Sequence, residues 1–276
     1  MTKRTALITG AGGGLGHATV ERLVMNGWKV FAADISTDLL RSSMHDPDVI
    51  PIAMDVTDTE SIQSAYETIT SRTDHLDGIV NFAGIMGVGS LTDMPEERLA
   101  RILDINVMGT FRVNKKFFPL VEAVKGRIVN ISSETGWQSA APFNGPYAMS
   151  KYAIEAYSSA LRRELAIVDV KVVTIQPGAF RTSMVEGIER AFTQAESETT
   201  KFASVLGTLK GLAAKTSKSA HDPDILAQVV ETALSTKRPK AVYSVKPDRA
   251  RSALEKLPLR AADQVYLTLL KRAYKP

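Results

Sequence analysis

The sequence predicts an α/β protein whose parallel sheet is doubly wound, with helices on both faces, and three observations predict it. Short apolar runs of strand length recur along the chain, the first at Thr5–Thr9 (TALIT). Between them lie longer segments whose apolar residues return at helical spacing, and strands joined by connections of that length pair in parallel through right-handed crossovers. The third observation is a glycine corner, Gly10 to Gly16, set between the first strand and the first helix. A chain of 276 residues with 44% hydrophobic and 23% charged content has the composition of a globule and length for one large domain spanning 1–276.

Composition excludes several chemistries. Cysteine is absent, so there are no disulfides, thiolate metal sites or cysteine nucleophiles, and no metal site is expected. No apolar run reaches the roughly 18 residues of a membrane span. The N-terminal apolar run is too brief for a signal peptide, and a cytoplasmic protein is the expectation. The net charge of +4 is uneven: residues 237–276 hold 11 Lys and Arg against Asp248, Glu255 and Asp263, which is +8 and leaves −4 for the rest.

The first strand runs into the pattern Thr9-Gly10-x-x-x-Gly14-x-Gly16, and a helical pattern follows through Leu23 and Met25. Strand, glycine corner and helix present the backbone N–H groups of Gly14, Leu15 and Gly16 at a helix N-terminus, an arrangement suited to a pyrophosphate. The second strand, 28–33, ends in Asp34, 18 residues after Gly16. A carboxylate there accepts from ribose hydroxyls and repels a 2′-phosphate, and Gly13, Ile35 and Ser36 supply no cation for one. The cofactor expected is NAD rather than NADP.

A third run, 49–54, leads to Asp55 and Val56 at the expected adenine edge, and Asp58 is placed to cap a helix to about Thr70. A fourth, 77–82, closes in Asn81-Phe-Ala83-Gly84, whose small residues let backbone approach a cofactor. One long helix is expected over 95–124, with Asn106 inside it, where its amide competes for backbone groups and invites a functional reading. The fifth strand, Arg127–Ile131, delivers Ser132 and Ser133 to the carboxyl edge of the sheet, where open α/β sheets hold ligands.

Pro146 then suits the first turn of a helix running through Leu165, which places Tyr147 and Lys151 at i and i+4 on one face. Bringing a phenol from about 10 to about 7 needs roughly 4 kcal/mol. An ammonium about 5 Å away at an effective dielectric of about 20 supplies roughly 3 kcal/mol. A second positive charge, such as an oxidised nicotinamide ring, closes the gap. A sixth strand, 170–176, ends in Pro177-Gly178-Ala-Phe-Arg-Thr182, and Thr182 is within reach of the cofactor's carboxamide.

Together Thr9 to Gly16, Asn81 to Gly84, Asn106, Ser133, Tyr147 to Lys151 and Pro177 to Thr182 resemble the short-chain dehydrogenase/reductase family. The motifs stand in family order over about two-thirds of the chain, and Tyr147 to Leu165 looks most like the hydroxysteroid and retinol dehydrogenase branch. The resemblance implies a Rossmann-like sheet of seven strands and a homodimer or homotetramer. It implies Tyr147 as general acid/base and Lys151 as its electrostatic partner, also binding the nicotinamide ribose. Ser133 would hold the substrate oxygen, and Asn106 a water that relays protons. Asn81-Phe-Ala departs from the family's frequent Asn-Asn-Ala, and Ser132 adjoins Ser133; the family pattern and Gly136 favour Ser133.

The segment 183–221 is read from pattern alone. Met184, Val185, Ile188, Ala191, Phe192 and Ala195, then Phe202, Val205, Leu206, Leu209 and Leu212, fall at helical spacing. They form either two amphipathic helices packed on the core or a lid over the nicotinamide pocket, whose few charges favour a hydrophobic alcohol or ketone. A capped helix from Asp222 to Thr236 and a short strand at 241–245 follow. The tail, 246–276, is a basic amphipathic segment broken by Pro258, read as a solvated helix, a dimer contact or a weak peripheral membrane contact. Nucleic-acid binding is not expected, since no recognised module or aromatic-basic surface occurs. The rival functions are an NADP-dependent carbonyl reductase and a non-catalytic dinucleotide sensor.

Overall fold

The apolar runs form one parallel sheet because both of its faces are covered. In this computed structural model, which describes residues 3–40, 46–182, 187–218 and 220–274, the strands are β1 (Thr5–Thr9), β2 (Lys29–Asp34), β3 (Val49–Ala53), β4 (Gly78–Asn81), β5 (Arg127–Ile131), β6 (Lys171–Pro177) and β7 (Val242–Val245). Their order is β3-β2-β1-β4-β5-β6-β7, and every neighbouring pair is parallel. The order reverses between β1 and β4, which opens a crevice at their carboxyl ends, where Thr9 pairs with Asn81. This is the expected Rossmann-like sheet.

Alternate residues of each strand feed two cores. Ala6, Ile8, Val30 and Ala32 pack against α1 (Gly14–Met25) and against Leu226 and Val230 of a late helix, α8 (Pro223–Ser235). Leu7, Phe31, Ile79 and Ile128 pack on the other face against α2 (Thr59–Thr70) and α4 (Thr110–Glu122). With both faces buried, strand residues are apolar throughout rather than alternating. Asp58 caps α2 by accepting from Glu60 N–H, and Asp222 caps α8 by accepting from Asp224 N–H.

The expected long helix over 95–124 is interrupted. It forms α3 (Glu96–Leu103), a π-helical turn (Asp104–Gly109) and then α4, so Asn106 sits in a π turn rather than an α-helix interior. The remaining helices are α5 (Gly145–Leu165), α6 (Ile188–Ser197), α7 (Ala203–Lys218), α9 (Arg249–Leu254) and α10 (Leu259–Ala273). Pro258 separates α9 from α10, as read from the sequence. No helix among the described residues is long and apolar enough to cross a membrane.

The segment holding α6 and α7 departs beside Phe180 and returns at His221, two residues joined by an isolated parallel bridge. Its apolar face is used: Ala195 and Leu206 are buried with Val88, and Met86, Phe143 and Phe192 pack against them. Met184 and Val185 lie outside the described residues.

Candidate active site

The glycine corner is shaped by backbone demands. Gly10 has φ +65°, and a Cβ on it would stand 2.7 Å from Ala83 N, so only glycine lets the ends of β1 and β4 meet. Thr9 and Asn81 are spent inside the protein. The Thr9 hydroxyl accepts from Ala83 N–H, and the Asn81 amide donates to Asn114 and Asn130 in a buried network that continues to Ser158. Asn81 therefore ties β4 to β5 and α4, which is strand-stabilising work, while Phe82 packs on the core.

No side chain caps the N-terminus of α1, so the N–H groups of Gly14, Leu15 and Gly16 face the crevice without an acceptor among the described residues. Thr182 lies against this corner, with its Cγ2 2.9 Å from where a side chain on Gly14 would begin. At the end of β2 the Asp34 Oδ2 accepts from Gly12 N–H at 2.9 Å, and Oδ1 has no donor among the described residues. Beyond it a cleft of about 470 Å³ is lined by Ile35, Asp55, Thr57, Ala100, Arg101, Asp104 and Ile105. Asp55 is held by Thr57 N–H and hydroxyl at 2.8 and 2.7 Å, and Val56 is buried against Gly109. Free helix-end N–H groups, a carboxylate with one open oxygen and a cleft of this size fit a dinucleotide.

The chemistry-bearing residues converge at the carboxyl edge of β5. Ser132 turns inward, with its hydroxyl 3.4 Å from the Lys151 carbonyl, and Gly136 leaves it room, since a Cβ there would fall 2.5 Å from Ser132 Oγ. Ser133 turns the other way: its oxygen accepts from Thr135 N–H at 3.2 Å, which leaves its proton to donate. The lysine ammonium is 5.5 Å from the Tyr147 ring centroid and donates to Ile131 O at 3.0 Å. Asn106 accepts from Ile85 N–H at 2.8 Å and donates to Ile85 O and Ser150 Oγ at 2.9 and 3.0 Å. Its amide is thus a clamp between the segment after β4 and α5, and both its polar atoms are engaged by protein. Pro177 ends β6, and Gly178 N–H donates to Val245 O at 2.9 Å, fixing the start of the loop to Thr182.

The profile of the short chain dehydrogenase family matches residues 4–192. Retinol dehydrogenase 16 of Rattus norvegicus is 34% identical over 255 residues, covering 86% of this chain and 78% of its own. The mitochondrial D-beta-hydroxybutyrate dehydrogenase of Mus musculus is 34% identical over 187 residues, 64% of this chain and 54% of its own. Among solved structures, a short-chain dehydrogenase from Streptomyces avermitilis superposes with a TM-score of 0.77 at 25% identity, over 98% of this chain and 96% of that one. The chain belongs to the short-chain dehydrogenase/reductase family. Within it the chain is similar to retinol dehydrogenases, and it is an oxidoreductase acting on CH–OH donors.

In this short-chain dehydrogenase burial dominates the electrostatics of the central pair. It pushes the Tyr147 phenol up to about 12; the Ser133 hydroxyl pulls the other way, and the Glu134 carboxylate adds to the rise. Burial pushes the Lys151 ammonium down to about 8, opposed by Glu155. The side chains of the protein do not by themselves make this phenol acidic: burial outweighs the Ser133 hydroxyl. Sequence reasoning passed over Glu134, although it adjoins Ser133. It also passed over Arg101, whose place four residues before Ile105 puts the two on one face of α3 and the π turn that follows it.

Proposed function

We propose that this chain is an NAD(H)-dependent dehydrogenase that interconverts an apolar alcohol and its carbonyl, and that Asn106, Ser133, Tyr147 and Lys151 form its catalytic set. The observation that carries the reading is that Tyr147, Lys151 and the Ser133 hydroxyl meet at the carboxyl edge of β5, in the same parallel sheet whose β1 leads into the uncapped N-terminus of α1. In this reading Gly14, Leu15 and Gly16 hold the pyrophosphate through backbone N–H groups. Asp34 holds the adenosine ribose, and Ile35, Asp55 and Val56 border the adenine. Ala83, Gly84, Pro177 and Gly178 flank the nicotinamide half, where Lys151 meets the ribose and Thr182 the carboxamide. NAD, when bound, supplies the carbon that takes hydride from the alcohol or returns it to the carbonyl.

The protein's own groups handle the proton. Ser133 donates to the substrate oxygen and steadies charge developing there. Tyr147, protonated at neutral pH, gives its proton to a carbonyl oxygen in the reducing direction; in the oxidising direction it takes the hydroxyl proton only as the phenolate, a form that the positive charges of Lys151 and of an oxidised nicotinamide ring would favour. Asn106 keeps Ile85 and α5 in place around them. The segment 183–221 acts as the lid, its described helices seated through Val88 and Phe143 at the rim, and this apolar seat supports an apolar substrate. Arg101 favours the second reading, NADPH, because it is a cation among the residues that line the cleft beyond Asp34.

Fluorescence titration with NADH and NADPH, then an alcohol panel of retinol, a hydroxysteroid, 3-hydroxybutyrate and short alcohols, tests the proposal. Tighter NADH binding and turnover of the apolar members are expected. Tighter NADPH binding overturns the reading of Asp34. Turnover confined to 3-hydroxybutyrate overturns the apolar substrate, and NADH binding without any turnover leaves a dinucleotide sensor.

A further inference from the structure

We propose that Glu134 is a positioning residue through which the C-terminal segment 246–255 governs proton transfer at Tyr147, which makes that segment part of the active site rather than a surface tail. The inference rests on the catalytic reading of Ser133 and Tyr147 above. Glu134 directly follows Ser133 in a turn of 3-10 helix, and its side chain is only 13% exposed. One carboxylate oxygen accepts from Asp248 N–H at 2.5 Å, and the other is 3.8 Å from the Arg251 guanidinium.

The same segment grips the following residues of the catalytic loop. Gln138 donates to Ser252 Oγ at 3.0 Å, and the Glu255 carboxylate accepts from the Ser139 N–H and hydroxyl at 2.7 and 3.1 Å. Arg251 donates to Ser139 O at 3.4 Å. The residue before the segment, Val245, accepts from Gly178 N–H, so the tail also borders the loop that ends in Thr182. A tail that only shielded apolar surface would have no use for a carboxylate pressed beneath it, because burying an ion costs free energy unless partners repay it.

The groups touching Glu134 are Asp248 and Arg251 from the tail; its charge acts on the Tyr147 phenol of α5, beside which Lys151 also stands, 5.5 Å from the ring. Burial raises the Glu134 carboxyl, while the Asp248 N–H and Arg251 pull it down. Its negative charge opposes formation of a phenolate at Tyr147, and Arg251 screens that charge. The tail therefore adjusts the field at the phenol through one ion pair.

Glu134→Gln keeps an acceptor for Asp248 N–H and removes the charge, Arg251→Met removes the screen, and Ser252→Ala loosens the tail's hold on Gln138 with no change of charge. Each is assayed for the pH profile of kcat on the best alcohol of the panel, for NADH affinity by fluorescence and for thermal stability. The acidic limb, where Tyr147 must be free of its proton to take that of the alcohol, is expected to move down by about half a pH unit or more in Glu134→Gln and up in Arg251→Met, and to stay in place in Ser252→Ala, with NADH affinity within twofold in all three. Limbs that do not move in folded Glu134→Gln and Arg251→Met, or that move in the same direction, overturn the proposal. If Tyr147→Phe keeps wild-type turnover, the catalytic reading fails first; if it is inactive while the limbs stay fixed, the role of Glu134 alone fails.

Discussion

Lys151 shows how one buried residue couples catalysis to stability. Its ammonium titrates near 8 in the folded chain against 10.5 when exposed, so below pH 8 the fold carries a charge that unfolding would release to water. Between those values the unfolded chain holds a proton that the folded chain has lost, so stability rises with pH; it is full above 10.5 and is lost as pH falls through 8. The gap corresponds to about 3 kcal/mol. Thermal denaturation of wild type and Lys151→Met between pH 7 and pH 10 is expected to show the wild type gaining on the variant by about 2 kcal/mol; parallel curves contradict the depressed value. The Tyr147 phenol, raised to about 12, runs the opposite way but acts only above pH 10. Spacing in the sequence put Tyr147 and Lys151 on one face, because i and i+4 geometry is local. It did not show that burial outweighs their mutual attraction, because that depends on Ile131, Ser133 and Glu134 closing around them.

The interrupted helix before β5 marks the limit of local pattern. Apolar spacing over 95–124 suits one helix, and an extra residue in a turn leaves that spacing almost unchanged, so the π turn at Asp104–Gly109 was not legible. The odd placement of Asn106 was the available signal, and the turn aims its amide at Ile85 and Ser150. Asn106→Ala leaves both polar groups of Ile85 without their partners, and a loss of about 2 kcal/mol or more is expected. Thermal denaturation and steady-state kinetics are expected to show Tm and kcat falling together; a variant with both unchanged removes the clamp. The strands, by contrast, were legible to within a residue or so, because a sheet covered on both faces writes itself as unbroken apolar runs.

At the scale of the molecule, the basic tail was legible as amphipathic but its inner partner was not, since Glu134, Gln138 and Ser139 lie more than a hundred residues earlier. Its outer face exposes Leu259, Val265 and Leu269 near Arg260, Lys271 and Arg272. Another apolar face runs from the π turn along α4 to α5, where Met108 and Phe111 are exposed and Phe111 meets Tyr157 edge to face at 6.2 Å. We expect this face to join copies of the chain: sedimentation should show a dimer or tetramer that Phe111→Glu dissociates, and a monomeric wild type contradicts it. Proton transfer rests on a single oxygen atom, and Tyr147→Phe removes it. Steady-state turnover of the best alcohol is predicted to fall by orders of magnitude while NADH affinity by fluorescence stays within a few-fold; near-wild-type turnover in that variant contradicts the account.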